Sequence, residues 1–310
     1  MSGEPVATRD PASAAALAAL VAALRRDHGD AVDAVLVYGS CLRSGDVFDG
    51  LVDLYLVVRD YRSAYGRRWL AVANALLPPN VFYAQQRHAG RLLRSKVTVV
   101  SGGHFRRGCR RWFQSYLWGR FSQPVQLAFV RDDDARALVE GALRDAQRTL
   151  LARALPALPA SGTLAALWAG ALQLSYDTEL RTERAGRAQQ LVAAALPHYQ
   201  QATRAALPAL RHPLQLDRVH GAPGYRACVP PGARRRARCA WALRRLQGKT
   251  LSLARLLKAL FTFRGGLDYL AWKLERHSGE PVEIPPRVRR HPLLFSWGFF
   301  WRLYRRGIFR

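Results

Sequence analysis

The sequence has little lysine, cysteine or acidic residue content, and it lacks a long apolar run. Lysine occupies only four of the 48 Lys and Arg positions. The four cysteines are scattered without a CxxC pair or a histidine at metal-ligand spacing, so the sequence indicates neither a disulfide framework nor a zinc site and favours a reducing cytosol. The densest apolar stretch, residues 292–301, is far shorter than the ~20 residues of a bilayer-spanning helix. We therefore expect no transmembrane span, and the first residues predict no signal peptide.

Positive charge is the dominant feature that is present, and it is unevenly distributed. The formal net charge is +26 over 310 residues, against only 22 acidic side chains. Residues 211–310 hold 22 Lys and Arg and 5 Asp and Glu, so +17 of the +26 falls in this last third. Such a field indicates an anionic partner, either lipid or nucleic acid. The arginine run at 234–238 lacks interleaved aromatic residues for base stacking, which makes nucleic acid unlikely.

Hydrophobic periodicity predicts an α/β domain over residues 1–155. Helical patterns run over 11–27, 65–77, 105–121 and 132–154, and short apolar, β-branched runs lie at 34–38, 51–58, 81–85, 92–100 and 124–130. Alternating strands and helices of this kind are typical of a sheet covered by helices.

The remainder of the chain predicts a second domain and a tail. Pro156, Pro159 and Gly162 indicate a linker, and helical patterns follow at 163–182 and 185–207. Gly, Pro and Arg dominate 221–238, which predicts a mobile loop before a helix at 240–277. We expect a mainly helical domain over 163–277 and a basic, aromatic tail over 278–310.

The strongest local motif is a Gly-Ser turn between two predicted strands. Tyr38, Gly39 and Ser40 end the first strand, and Asp53 lies on the next. This order resembles that of polymerase-β-type nucleotidyltransferases, in which the turn holds triphosphate oxygens and the acid binds Mg²⁺. Members of that superfamily commonly have a second carboxylate two residues on, where this chain has Tyr55. Asp60 is our first candidate for the second ligand, and Asp46 and Asp49 are the others.

Several patches extend the resemblance to one branch, the mitochondrial-type phosphatidate cytidylyltransferases, which are translocator assembly and maintenance proteins. That family also has Tyr-Gly-Ser, followed by a strand with a lone Asp before an aromatic residue. The other similar patches are Asn80–Tyr83, Arg91–Val97, Tyr116–Val125 and Leu174–Arg181. The resemblance covers residues 34–205 and implies a nucleotidyltransferase-type mixed sheet, with Tyr176, Glu179 and Arg181 at the nucleotide and lipid cleft.

Three cations and two histidines are further site candidates. Lys96, or Arg94, stands on the strand where the family has a lysine and is expected to contact phosphates. Arg120 lies in an apolar, aromatic segment, where an arginine needs either an anionic ligand or an internal carboxylate partner. His88 and His104 fit loop positions better than that of a general base, because a lipid phosphate is already an anionic nucleophile.

The final residues predict attachment to a membrane surface. Aromatic and arginine side chains are concentrated there, namely Trp297, Phe300, Trp301, Arg302, Arg305 and Arg306. This combination is typical of an interfacial segment on anionic lipid, although packing on the core is the other possibility. We expect a cytoplasmic protein that is peripheral on the cytoplasmic face of the membrane.

The resemblance implies the transfer of CMP from CTP to phosphatidic acid with Mg²⁺, giving CDP-diacylglycerol and pyrophosphate. Two alternatives stay open. One is a nucleotidyltransferase with a different acceptor, such as RNA, protein or a small molecule. The other is a catalytically degenerate, membrane-bound nucleotide-binding protein.

Overall fold

The structure is a computed structural model of the chain. It describes residues 10–39, 41, 45–180, 186–219, 221–262, 271–272, 275 and 284–290. Ser40, Arg181 and the predicted membrane residues of the tail lie outside these ranges.

The described residues form a mixed α/β fold with two sheets. The strands are β1 (Val32–Tyr38), β2 (Val52–Val58), β3 (Asn80–His88), β4 (Arg91–Ser101), β5 (Gln126–Val130), β6 (Ser161–Thr163), β7 (Leu214–Val219) and β8 (Ala222–Ala227). The helices are α1 (Pro11–His28), α2 (Tyr61–Ala64), α3 (Arg68–Leu76), α4 (Gly102–Arg110), α5 (Asp133–Ala154), α6 (Leu164–Tyr176), α7 (Arg187–Ala194), α8 (Leu196–Ala206), α9 (Pro231–Thr262) and α10 (Pro286–Arg290).

The larger sheet has five strands in the order β3-β4-β2-β1-β5. Its β2–β4 pair is parallel, and the other three pairs are antiparallel. The prediction of an α/β fold with a mixed sheet is confirmed. The apolar run of β2 follows from its central position, because a strand covered on both faces has no side that favours polar residues.

The two faces of this sheet carry separate apolar clusters. Leu54, Leu56 and Val58 point to one face, where α1 and α2 contribute to the core. Tyr55 and Val57 point to the other, which packs on α4 and α5. Since side chains alternate along a strand, Asp53 shares the face of Tyr55. Any site built on Asp53 therefore opens toward the second half of the chain.

The second half continues the same core. Buried residues of α5, α6, α8, β8 and α9 belong to one cluster with Tyr55 and Val57. Leu155 and Pro156, at the start of the predicted linker, are themselves buried. The smaller sheet, in the order β6-β8-β7, lies in this half. The linker thus connects two parts of a continuous apolar interior.

Two predicted segments differ from the structure. The expected loop at 221–238 is instead strand β8 followed by the start of α9. Gly221 lies in the turn before β8, and Pro223 and Gly224 lie within that strand. Pro231 and Gly232 lie in the first turn of α9, where proline is compatible with a helix. The expected helix at 105–121 ends at Arg110, and turns occupy 111–123. No helix among the described residues is both long and apolar enough to cross a bilayer.

The long helix α9 packs across both halves. Trp241 is buried and packs edge to face on Trp118, with 5.7 Å between the ring centroids. Its Nε1 atom donates a hydrogen bond to the Arg153 carbonyl at 3.0 Å. Further along, Gly248 lies against Thr178, since an added Cβ would stand 2.4 Å from that carbonyl oxygen. The backbones approach closely there because residue 248 has no side chain.

We expect Gly248→Ala to lower the free energy of unfolding by about 1–3 kcal/mol, because the added methyl overpacks the contact with Thr178. Gly141→Ala, in α5, is the control. Its Cβ would meet only the end of the Arg144 side chain at 4.0 Å, so it should be neutral or stabilise by up to about 1 kcal/mol. Urea unfolding measures both. Equal stability of the two variants would contradict the close packing of α9.

Candidate functional site

The site begins at the turn that ends β1. Antiparallel pairing sets Tyr38 opposite Asp53, and Gly39 follows with φ +95°. A Cβ added to Gly39 would lie 3.0 Å from the Asp53 Oδ2 atom. Both the positive φ and this close approach favour glycine at the position. The turn backbone and the carboxylate therefore lie side by side, as the sequence motif predicts.

Lys96 lies beside Asp53 on the next strand. The parallel register of β2 and β4 pairs the two residues, and Tyr83 of β3 pairs with Lys96 from the other side. Burial raises the pKa of Asp53, and the nearby positive charges of Lys96 and Arg120 partly offset that effect. A partly buried carboxylate between two cations can bind a metal ion, and the same cations favour anionic oxygens close by.

Arg120 connects this sheet face to the segment after α6. Its Nη2 atom donates to Glu179 Oε1 at 2.9 Å, and its Nη1 atom donates to the Tyr55 hydroxyl at 3.0 Å. Its guanidinium also lies 4.4 Å from the ring centre of Tyr116. Of the two explanations for an arginine in this apolar segment, the structure has the internal carboxylate partner. That partner is Glu179, itself a predicted nucleotide residue.

Tyr116 stands among three cations. Its hydroxyl accepts a hydrogen bond from the Tyr55 hydroxyl at 3.2 Å. Burial alone would raise the pKa of the Tyr116 phenol, but Arg120, Lys96 and Arg255 outweigh burial and lower it. These cations define a region of positive potential beside Asp53 that suits a polyphosphate or another anionic group.

Arg255 of α9 is the member of this group that the sequence did not identify. Its guanidinium lies 4.2 Å from the Tyr116 ring centre, and it donates to Gln114 Oε1 at 2.7 Å and to the Pro78 carbonyl at 3.0 Å. Burial lowers the pKa of Arg255. The only signal in the sequence is an arginine within the leucine-rich stretch 251–260, which does not reveal its partner 139 residues earlier.

Asp60 does not share a site with Asp53. It caps α2, accepting from the Arg62 and Ser63 amides at 2.8 and 3.0 Å, and is exposed. It lies beyond the opposite end of β2, and five strand residues already separate positions by roughly 17 Å. The expectation that Asp60 is the second metal ligand is therefore corrected. Asp60 and Asp53 are close in sequence but far apart in space, because the extended strand β2 lies between them.

The other candidates are distributed around this centre. Tyr176 ends α6, three residues before Glu179, and packs on the main core. Asp46 lies 3.6 Å from Arg91, near the start of β4. Arg94 lies 5.6 Å from the ring centre of Trp272, and His104 Nδ1 is 2.9 Å from the Tyr61 hydroxyl. None of these contacts reaches Asp53.

The metal-binding capacity of this centre comes from one carboxylate. Within the part of the chain that the structure describes, no group of three or more His, Cys, Asp or Glu side chains could hold a metal ion. A single Asp is nevertheless compatible with Mg²⁺, which commonly binds through one or two carboxylates together with substrate phosphates and water.

A comparison of the sequence with models of known protein families finds no match, and a comparison with curated proteins likewise finds no match. The assignment of a function therefore depends on the geometry of the site and on the sequence motifs.

We expect Asp53→Asn to raise the free energy of unfolding at neutral pH. Burial raises the folded-state pKa of Asp53 above its ordinary 3.8, so the folded chain holds this proton more tightly than the unfolded chain. The ionised carboxylate therefore destabilises the fold increasingly as the pH rises from 3.8 through the folded-state pKa. The gain in unfolding free energy of Asp53→Asn should grow over that interval and stay constant above it. Thermal unfolding at several pH values measures it.

Asp60→Asn is the matched control, since it removes a carboxylate from the far end of the same strand. Asparagine caps a helix nearly as well as aspartate, so little change is expected at neutral pH. If Asp53→Asn were less stable than the parent at neutral pH, the ionised Asp53 carboxylate would stabilise the fold, and the prediction would be wrong.

Proposed function

We propose that the chain is a phosphatidate cytidylyltransferase, which transfers CMP from CTP to phosphatidic acid and releases pyrophosphate. The observation that carries the proposal is the contact between the Gly39 turn and Asp53, with Lys96 in register beside them. A glycine turn beside an acid and a cation matches what a metal-bound triphosphate requires.

The reaction needs one bond to form and one to break. A phosphate oxygen of phosphatidic acid attacks the α-phosphorus of CTP, forming the new P–O bond. The bond from the α-phosphorus to the bridging oxygen breaks, and pyrophosphate leaves with that electron pair. The attacking oxygen is already anionic, so the proposed reaction needs no dedicated general base.

Each side chain has a distinct proposed role. Asp53 would hold Mg²⁺, which when bound neutralises part of the triphosphate charge. Lys96 would contact phosphate oxygens directly. Arg120 acts as a positioning residue, because Glu179 and Tyr55 accept hydrogen bonds from two of its nitrogens. It holds the sheet face and the segment Tyr176–Glu179 at a fixed separation.

The proposal is tested with purified protein, labelled CTP, Mg²⁺ and phosphatidate-containing vesicles. Formation of CDP-diacylglycerol and pyrophosphate is expected. Asp53→Asn should lower turnover roughly a hundredfold or more, because metal-assisted charge stabilisation is worth several kcal/mol. Asp60→Asn should retain the parent rate, since this carboxylate caps α2 away from the site.

Other outcomes distinguish the alternatives. Pyrophosphate release that needs no lipid would indicate another acceptor. Nucleotide binding without pyrophosphate release, for every nucleotide and acceptor tried, would indicate a degenerate binding protein. Equal loss of turnover in Asp53→Asn and Asp60→Asn would contradict the placement of the site.

A further inference from the structure

A second cationic region lies along the N-terminal half of α9, apart from the candidate site. A cavity of about 250 Å³ is lined by the cationic side chains Arg153, Arg211, Arg236 and Arg244 together with His212, and no carboxylate lines it. Arg244 and Arg255 are separated by 11 residues of helix, or roughly 16 Å. This cavity is therefore distinct from the region around Asp53.

Among the described residues, the two inner arginines of this cavity are held by carbonyl oxygens and aromatic rings and not by carboxylates. Arg244 donates from Nε to the Phe113 carbonyl at 2.9 Å, and Arg153 donates to the Trp112 and Phe113 carbonyls. Neither arginine forms an ion pair with a carboxylate of the described residues. Burial, and then the charge of Arg153, lower the pKa of Arg244 to about 10. Two neighbouring cations held in this way favour a bound anion.

An apolar depression adjoins the cavity. It has a volume of about 490 Å³, shares Arg236 and Ala240 with the cavity, and is lined by Phe113, Cys239 and Leu243. The shared residues place a cationic pocket and an apolar surface next to each other. That juxtaposition matches an amphiphile with an anionic head and a hydrocarbon chain.

The outer face of α9 extends the apolar surface toward the C-terminus of the helix. Its exposed side chains include Leu243, Leu246, Leu253, Leu256, Leu257 and Phe261. Leu246 is 68% exposed and Phe261 is 67% exposed. The helix contains nine Lys and Arg and no Asp or Glu, and the exposed Arg238, Arg245 and Lys249 lie beside the leucines. A helix that is apolar and purely cationic on its outer side complements an anionic bilayer surface.

We propose that α9 docks on an anionic phospholipid bilayer, with the phosphate of one lipid headgroup in the pocket of Arg153, Arg211, Arg236 and Arg244. The leucine face then contacts the acyl region. This binding does not rest on the proposed reaction, because it requires neither nucleotide nor Asp53. In this arrangement the outer face of α9 contacts lipid, while Arg255, on the opposite face of the same helix, contacts Tyr116 at the candidate site.

The test is flotation of the full chain with vesicles of phosphatidylcholine alone or with added phosphatidylglycerol, in the absence of nucleotide. Arg211→Gln/Arg236→Gln removes two exposed cations of the pocket. It should weaken binding to the anionic vesicles about thirtyfold, since each cation near such a surface contributes about a factor of five. The matched control is Arg106→Gln/Arg204→Gln, which removes two exposed arginines from α4 and α8 and should have a much smaller effect.

A second pair of variants tests the apolar face. Leu246→Gln should weaken vesicle binding, whereas Leu216→Gln, an exposed leucine of β7, should not. Parent-like melting of all four variants checks that they fold. The proposal is overturned if both arginine pairs lose binding equally, or if Leu246→Gln binds like Leu216→Gln.

Three further measurements distinguish other ligands. Inorganic phosphate should compete only weakly, because it lacks the apolar part; complete displacement from vesicles by phosphate would indicate a free-anion site. Pocket-dependent binding of a short RNA with no pocket-dependent binding to vesicles would indicate a nucleic-acid surface. A loss of self-association in Leu246→Gln without a change in vesicle binding would indicate that the leucines bind a second copy.

Discussion

The arrangement of the candidate site depends on one guanidinium, that of Arg120, whose side chain is largely buried. Arg120 reaches from the turns after α4 to Tyr55 on the central strand and to Glu179 beyond α6. A charge in such a place is tolerated when its N–H donors have hydrogen-bond acceptors and a carboxylate is close. Removal of either Arg120 or Glu179 would leave the remaining charge desolvated and unpaired, which costs free energy. The interaction therefore fixes the distance between the sheet and the helical half of the chain, and Asp53 and Lys96 lie at that junction.

Much of the sheet follows directly from the sequence, because its signals are local. The strands β1 and β2 and the second half of β4 are apolar, β-branched runs, and Gly39 and Asp53 are recognisable from their places at the ends of such runs. The position of Lys96 beside Asp53 follows from strand register, which an apolar pattern fixes only once the neighbouring strands are known.

The features that the sequence did not predict depend on contacts between distant residues. Asp60 is a candidate because it lies only seven residues after Asp53 in the sequence. In the structure the extended strand β2 separates the two carboxylates, and that of Asp60 caps helix α2. Arg255 gave no local sign of its contact with Tyr116. The composition of residues 221–238 predicts a loop, because composition alone does not show that a short strand accommodates Pro223 and Gly224 and that Pro231 begins a helix. The two predicted domains also share apolar contacts that no linker composition can indicate.

The contact of α9 with the turn before β3 has a consequence for the order of assembly. Arg255 donates to the Pro78 carbonyl, and Lys258 donates to the Pro79 carbonyl at 2.8 Å. These two side chains of α9 therefore fix the turn that leads into β3. During synthesis the large sheet emerges well before these residues do, and chains fold largely as they emerge. The sheet face that carries Asp53 can therefore pack on α4 and α5 first, and Arg255 reaches Tyr116 only when α9 is complete. Completion of the cationic group around Tyr116 is therefore a late event in the maturation of the polypeptide.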